Sequence, residues 1–215
     1  METTYIEIDS PDKHLSDVLE EIPSNVILYK TLTGIGATYS EIKAQRHSII
    51  IEPNVPVIIG KCNSAKHKND NLLGVYEGVT TDRIIKYLGA SRGKYYKILT
   101  TPESFTKVKD AFLIFNGKIY NTCFLLIDEA HKTIKDVDYR SDIVLPMNDF
   151  FKFKGKALVS ATPLKFSDPR FEENGFSIIK IEPTYDYAKE IDIKPSTNIL
   201  REVWEEFGWM PFITG

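Results

Sequence analysis

The run from Phe124 to His131 reads Phe-Leu-Leu-Ile-Asp-Glu-Ala-His, two carboxylates and an imidazole directly after an apolar stretch. The apolar part has the character of a buried strand. Packing does not explain Asp128 and Glu129 side by side at its exit, because an unpaired buried charge is costly. Hydrolysis of a phosphate anhydride does. Asp128 would hold Mg²⁺, usually through water, and Glu129 would orient or deprotonate the attacking water. The plain structural alternative is a strand running into an acidic helix cap, since Asp and Glu favour helix N-termini.

Four further segments share this build, an apolar strand ending in a polar turn. Ile27–Tyr29 leads into Lys30-Thr-Leu-Thr33-Gly34-Ile-Gly36-Ala37-Thr38. Ile49–Glu52 ends in Pro53 and Asn54. Ile98 and Leu99 run into Thr101, Pro102 and Glu103. Ala157–Val159 ends in Ser160-Ala161-Thr162. Helical patterns separate them, with Thr80–Leu88 and Phe105–Phe115 carrying apolar residues on one face. Strands alternating with helices imply an α/β fold, a doubly wound and mostly parallel sheet with helices on both faces. Ligand sites in such sheets lie beyond the carboxyl ends of the strands, where these turns would converge.

In this order the five segments resemble the motifs of a DEAD/DEAH-box-type superfamily-two helicase, within its N-terminal RecA-like P-loop lobe. The resemblance covers roughly residues 25–165 and implies ATP and Mg²⁺ as ligands. It implies Asp128 and Thr38 for the metal, Glu129 for the attacking water, and the Thr33–Thr38 loop for the phosphates. His131, Ser160 and Thr162 would couple the nucleotide site to the nucleic-acid site. Pro53, Asn54, Thr101, Pro102 and Glu103 would touch DNA or RNA. The chain departs from the pattern at Ala37, where a phosphate loop carries the lysine that reaches the β- and γ-phosphates. Three readings stay open. Lys30 swings over the loop and replaces the charge, or the lobe binds nucleotide weakly, has lost hydrolysis and serves as a nucleic-acid- or partner-binding module, or the loop is only a glycine-rich strand–helix turn. An unrelated doubly wound enzyme would have to treat the Ser-Ala-Thr and Thr-Pro-Glu turns as accidents.

Composition bounds these readings. The 215 residues are 42% hydrophobic, enough for one substantial core, and the net charge of −3 gives no general affinity for nucleic acid. Residues 61–97 are the exception, with eight Lys/Arg against three Asp/Glu. Arg92 and Lys94 within it, beside Tyr95 and Tyr96, are candidate nucleic-acid contacts. Two cysteines make no disulfide framework, and no apolar stretch approaches the ~20 residues of a membrane span. With an acidic, alternating N-terminus and no signal peptide, the expected location is cytoplasmic.

Smaller elements follow from local pattern. Residues 3–8 alternate like an edge strand, a helix is expected over 12–21, Val57–Ile59 looks like a strand, and so does Phe176–Ile181. The RecA-like lobe would occupy 1–182. Residues 183–215 read as a linker and the start of a missing second lobe, with a helix over Asn198–Phe207. That second RecA-like lobe, in cis or in trans, would carry the arginine finger, worth ~10³–10⁵ in rate in related phosphoryl-transfer systems. A lone lobe would be nearly inactive.

Overall fold

The computed structural model describes residues 1–32, 34–135, 144–162 and 168–186. Thr33 lies outside them, as do the expected helix at 198–207 and nearly all of 183–215. The strands are β1 (Thr3–Ile8), β2 (Val26–Lys30), β3 (His47–Ile51), β4 (Leu72–Val75), β5 (Lys97–Thr100), β6 (Cys123–Ile127), β7 (Gly155–Ser160) and β8 (Ser177–Pro183). They form one sheet in the order β1-β8-β2-β7-β6-β3-β5-β4. Every pairing in it is parallel. All strand ends therefore lie along one edge and all strand starts along the other. None of the described helices is long and apolar enough to cross a membrane.

Both faces of the sheet are covered, which is why its central strands are apolar without a break. The period of two sorts the side chains. Ile27, Ile49, Ile51, Leu125 and Ile127 pack against one set of helices: α4 (Thr81–Ala90), α5 (Phe105–Phe115) and α8 (Val144–Phe150). Val26, Leu28, Ile50, Phe124 and Leu126 point the other way, onto α1 (Leu15–Val18), α2 (Ala37–Lys43) and α3 (Val55–Asn63). Each fully buried Ile or Leu contributes ~1.5–3 kcal/mol relative to exposure, so register errors of one residue are strongly disfavoured. Short helices α6 (Ile119–Thr122), α7 (Ala130–Lys135) and α9 (Arg170–Glu173) complete the connections.

Three local expectations change. Val57–Ile59 is helix, not strand: Pro56 sits in the first turn of α3, and the Val57 and Ile58 N–H groups donate to Asn54 O at 3.1 and 3.2 Å. The helix expected over 12–21 shrinks to α1, capped by His14, with Leu19 already extended. The last strand runs two residues past the expected Ile181, since β8 continues through Pro183 and Thr184 N–H donates to Ile8 O at 2.9 Å. The short strand β4 had no sequence signal, because Leu-Leu-Gly-Val is too brief for a period to show.

The C-terminal end of α2 is clamped by buried charge. Lys97, 2% exposed at the start of β5, donates from Nζ to Glu41 O and Ala44 O, each at 2.8 Å. It also donates to Ser48 Oγ at 2.9 Å. A cation thus satisfies the last carbonyls of the helix. Ser48 and Arg46 both donate to the buried Glu41 carboxylate, and the Arg46 guanidinium lies 3.5 Å from the Phe124 ring centroid. Lys97 is therefore structural and does not belong to a basic surface.

Burial pushes the Lys97 ammonium down from 10.5 to about 8. The folded state gives up this proton at lower pH than the unfolded chain, so the penalty is full below pH 8 and relieved above it. Stability should rise by about 3 kcal/mol between the folded and unfolded values. Urea titrations across that window should show the rise in the wild type and not in Lys97→Met; parallel curves would contradict it.

Candidate functional site

The strand ends of the central sheet meet in register. Asp128 N–H donates to Ile51 O at 3.0 Å, Glu52 N–H to Thr100 O at 2.9 Å, and Thr101 N–H to Val75 O at 3.2 Å. β6, β3, β5 and β4 thus deliver Asp128, Glu52 and Thr101 to one edge. The loop after β2 starts from the same edge. Thr31 anchors it through Oγ1 to Ile181 O at 2.8 Å, and Leu15 N–H ties Ile35 O at 2.8 Å. Gly34 and Gly36 have φ of 83° and 90°, a left-handed conformation that L side chains disfavour. Such turns can present successive N–H groups to an anion. A cleft of about 460 Å³ opens here, lined by loop residues, Lys30, Glu52, Lys61, Asp128, Glu129 and Lys132.

Lys30 is the centre of the cleft. It is 7% exposed, and its Nζ lies 2.7 Å from Glu129 Oε1 and 3.2 Å from Asp128 Oδ1. The other Asp128 oxygen accepts from the Thr38 hydroxyl. Burial alone would raise the Asp128 carboxyl, yet the charge of Lys30 and the Thr38 hydroxyl hold it below the ordinary carboxylate range. Burial works against the Lys30 charge too, and the two carboxylates override it and raise the ammonium. Glu129 sits at φ 50°, unusual for a residue with a side chain. Asp128 Oδ1 accepts its N–H at 2.9 Å, and Lys30 holds its carboxylate. Ala37 carries no charge into the cleft; its side chain is in the core with Leu15 and Ile35.

Beyond Glu129 the chain of contacts continues. His131 Nε2 is 3.6 Å from Glu129 Oε2, and its Nδ1 is 3.2 Å from Ser160 Oγ. Ser160 donates its hydroxyl proton to Thr162 O at 2.7 Å and accepts from Thr162 N–H at 3.1 Å. His131 Nδ1 must then be the donor to Ser160. Asp128, Glu129, His131, Ser160 and Thr162 form one connected row.

The other expected contacts divide. Pro53 and Asn54 follow β3, and Thr101, Pro102 and Glu103 follow β5, so both turns share the edge of the cleft. Thr101 and Pro102 are buried and Glu103 is exposed. Arg92 and Lys94 are not brought there. They precede β5, as Tyr95 and Tyr96 do, and so lie at the opposite edge of the parallel sheet. Tyr96 stacks on His47 with ring centroids 4.2 Å apart. Thr33 lies outside the described residues.

No family model matches the chain, and no curated protein does. Solved structures do. A hypothetical ATP-dependent RNA helicase from Sulfolobus tokodaii matches with a TM-score of 0.50 at 17% identity, over 73% of this chain and 48% of that one. The Pyrococcus furiosus Hef helicase domain matches with a TM-score of 0.52 at 14% identity, over 80% of this chain and 39% of that one. The fold is that of a RecA-like helicase lobe. The chain spans less than half the length of either protein. Within the RecA-like sheet, the cleft residues that sequence reasoning missed are Lys61, Lys132 and Glu52 in a chemical role. Glu52 was legible only as the end of a strand and Lys61 only as part of the 61–97 charge cluster, while Lys132 carried no signal.

Removing Lys30 should expose what it balances. Lys30→Met leaves buried Asp128 without its cation and should cost about 3–5 kcal/mol at neutral pH. Asp128 contributes stability above its unfolded pKa of ~3.9, and that contribution is lost as pH falls through its lower folded value. In Lys30→Met the loss should move to higher pH. Urea unfolding with carboxyl NMR tests both, and an unchanged Asp128 titration would refute the pairing.

Proposed function

We propose that this chain is the ATP-binding lobe of a superfamily-two helicase or translocase of the Asp-Glu-Ala-His type, with Lys30 standing in for the lysine that Ala37 replaces. The observation that carries this is Lys30 Nζ at 2.7 Å and 3.2 Å from the two carboxylates at the end of β6. The charge missing from the loop is supplied from the preceding strand, into the same cleft. The donor set suits Mg²⁺: the Thr38 hydroxyl and an Asp128 oxygen already converge, and both are hard oxygen ligands. Among the described residues no three His, Cys, Asp or Glu side chains cluster as a complete metal site. The ion would be held by one carboxylate, waters and phosphate oxygens. Bound there, Mg²⁺ would neutralise phosphate charge.

The roles of the chain's own residues follow. Amides of the Gly34–Thr38 loop bind the phosphates, and Lys30 moves from the carboxylates onto them. Glu129 orients and deprotonates water. His131 passes the state of Glu129 to Ser160 and Thr162, and the turns at Pro53–Asn54 and Thr101–Glu103 contact the backbone of DNA or RNA. A second RecA-like lobe, in cis or in trans, completes the motor. The rival reading, a binding module without hydrolysis, is favoured by Ala37 and weakened by the position of Lys30.

Calorimetric titration of ATP with and without Mg²⁺ tests this. Loss of a charge-assisted bond worth ~1.5–3 kcal/mol should lower affinity in Lys30→Ala by about tenfold or more. Glu129→Gln should retain binding, and in a complete two-lobe assembly with nucleic acid it should abolish phosphate release. Unchanged ATP affinity in Lys30→Ala would leave the module reading ahead.

A further inference from the structure

Glu52 and Lys61 line the same cleft, yet the roles above use neither. Glu52 is 3% exposed at the end of β3. The register Ile51↔Ile127 puts it on the next rung beside Asp128, about 4.8 Å away across a strand pair. Lys61, in the last turn of α3, reaches back until its Nζ is 3.4 Å from Glu52 Oε2. A well-formed charged hydrogen bond is ~2.7–2.9 Å, and the Lys30–Glu129 pair meets that at 2.7 Å. Lys61 is therefore held loosely, by one carboxylate, on a flexible stem.

Position gives the pair its meaning. Across the sheet the order runs from β2, which feeds the loop, through β7 and β6 to β3. Glu52 and Lys61 thus lie beyond Asp128 from β2, past the point where the loop meets Asp128 through Thr38. In a glycine-rich phosphate loop the amides cradle the inner phosphates, and the terminal phosphate faces the water-orienting carboxylate. The last phosphate would arrive on the Glu52–Lys61 side.

We propose that Lys61 is a second phosphate-contacting residue, selective for the terminal phosphate of a nucleoside triphosphate, and that Glu52 holds it until that phosphate arrives. This rests on the nucleotide-binding reading above. A triphosphate draws Lys61 from Glu52, whereas a diphosphate leaves the pair intact. The exchange involves charge contacts only, with no bond made or broken. Pro53 and Asn54 follow Glu52 directly, so the change is felt at the turn assigned to nucleic acid.

The test is calorimetric titration of ATP and of ADP, each with Mg²⁺, into the full chain and its variants. Lys61→Met keeps the stem and should lower ATP affinity about tenfold while changing ADP affinity less than about twofold. Glu52→Gln should raise ATP affinity, because it releases Lys61, and leave ADP unchanged. Equal effects on both nucleotides, or none on ATP, would overturn the proposal, as would weaker ATP binding in Glu52→Gln. A wild type that binds neither nucleotide would end the nucleotide reading and this inference together. Weakened binding in Lys30→Ala beside unchanged binding in Lys61→Met would end this inference alone.

Discussion

A buried ammonium between two carboxylates is the interaction on which the cleft depends. Lys30 ends β2, and Asp128 and Glu129 follow β6, with β7 lying between the two strands in the sheet. The pair therefore spans two strand spacings and ties the loop-bearing strand to the acidic one. Neither partner is tolerable alone at this depth, since each would be a charge without compensation. The contact also settles smaller features. It holds the Glu129 side chain at a backbone conformation few non-glycine residues adopt, and it leaves the second Asp128 oxygen for Thr38.

The loop must be held as firmly as the carboxylates, and here a different lysine acts. Lys97 fastens the carbonyl end of α2 to the start of β5, while Thr38 fastens the other end of α2 to Asp128. The helix is only seven residues long, too short to be stable without tertiary contacts. Clamped at both ends, it gives the loop a fixed frame. Lys156 serves the sheet in a similar way, donating to Phe153 O and Asn174 Oδ1 at 3.1 Å each. Among the described residues, the buried lysines Lys30, Lys97 and Lys156 cap carbonyls or balance carboxylates, so a count of basic residues along the chain misjudges how many face a polyanion.

That distinction separates what could be read in the sequence from what could not. The central strands were legible because Ile49–Ile51 and Phe124–Ile127 are unbroken apolar runs ending in polar turns, and each turn does lie at the expected edge. Val57–Ile59 deceived because three apolar residues show no period, and even their exposed–buried–exposed pattern would suit a strand; the helix shows only in the Val57 and Ile58 N–H groups donating to Asn54 O. Arg92 and Lys94 were assigned to nucleic acid with the rest of the basic segment 61–97, as if it shared an edge with the Thr101–Glu103 turn. A four-residue strand separates them and carries the chain from one edge of the sheet to the other. The Lys30–Asp128 pair joins residues 98 positions apart, a distance at which spacing is silent. The lysine that Ala37 lacks pointed to Lys30, but as a cation swung over the loop and not as the partner of Asp128 and Glu129. The Glu52–Lys61 pair had no such prompt, since no pattern in the chain was left incomplete without it.

On the proposed reading, the charges of the cleft dictate how it must respond to a ligand. Lys30 and Lys61, the lysines that would meet phosphate, are the ones that neutralise Asp128, Glu129 and Glu52. A triphosphate entering alone would draw both lysines away and leave three carboxylates facing it. A divalent cation entering alone would meet carboxylates already paired with ammonium groups. Together the two ligands exchange partners with the site at little net electrostatic cost, each accepting what the other displaces. Metal and nucleotide should therefore bind with strong positive coupling, a reciprocity required by linkage. Placing the lysine on the strand, outside the loop, makes that coupling a property of the fold itself, because the strand that carries the cation also delivers it to the carboxylates.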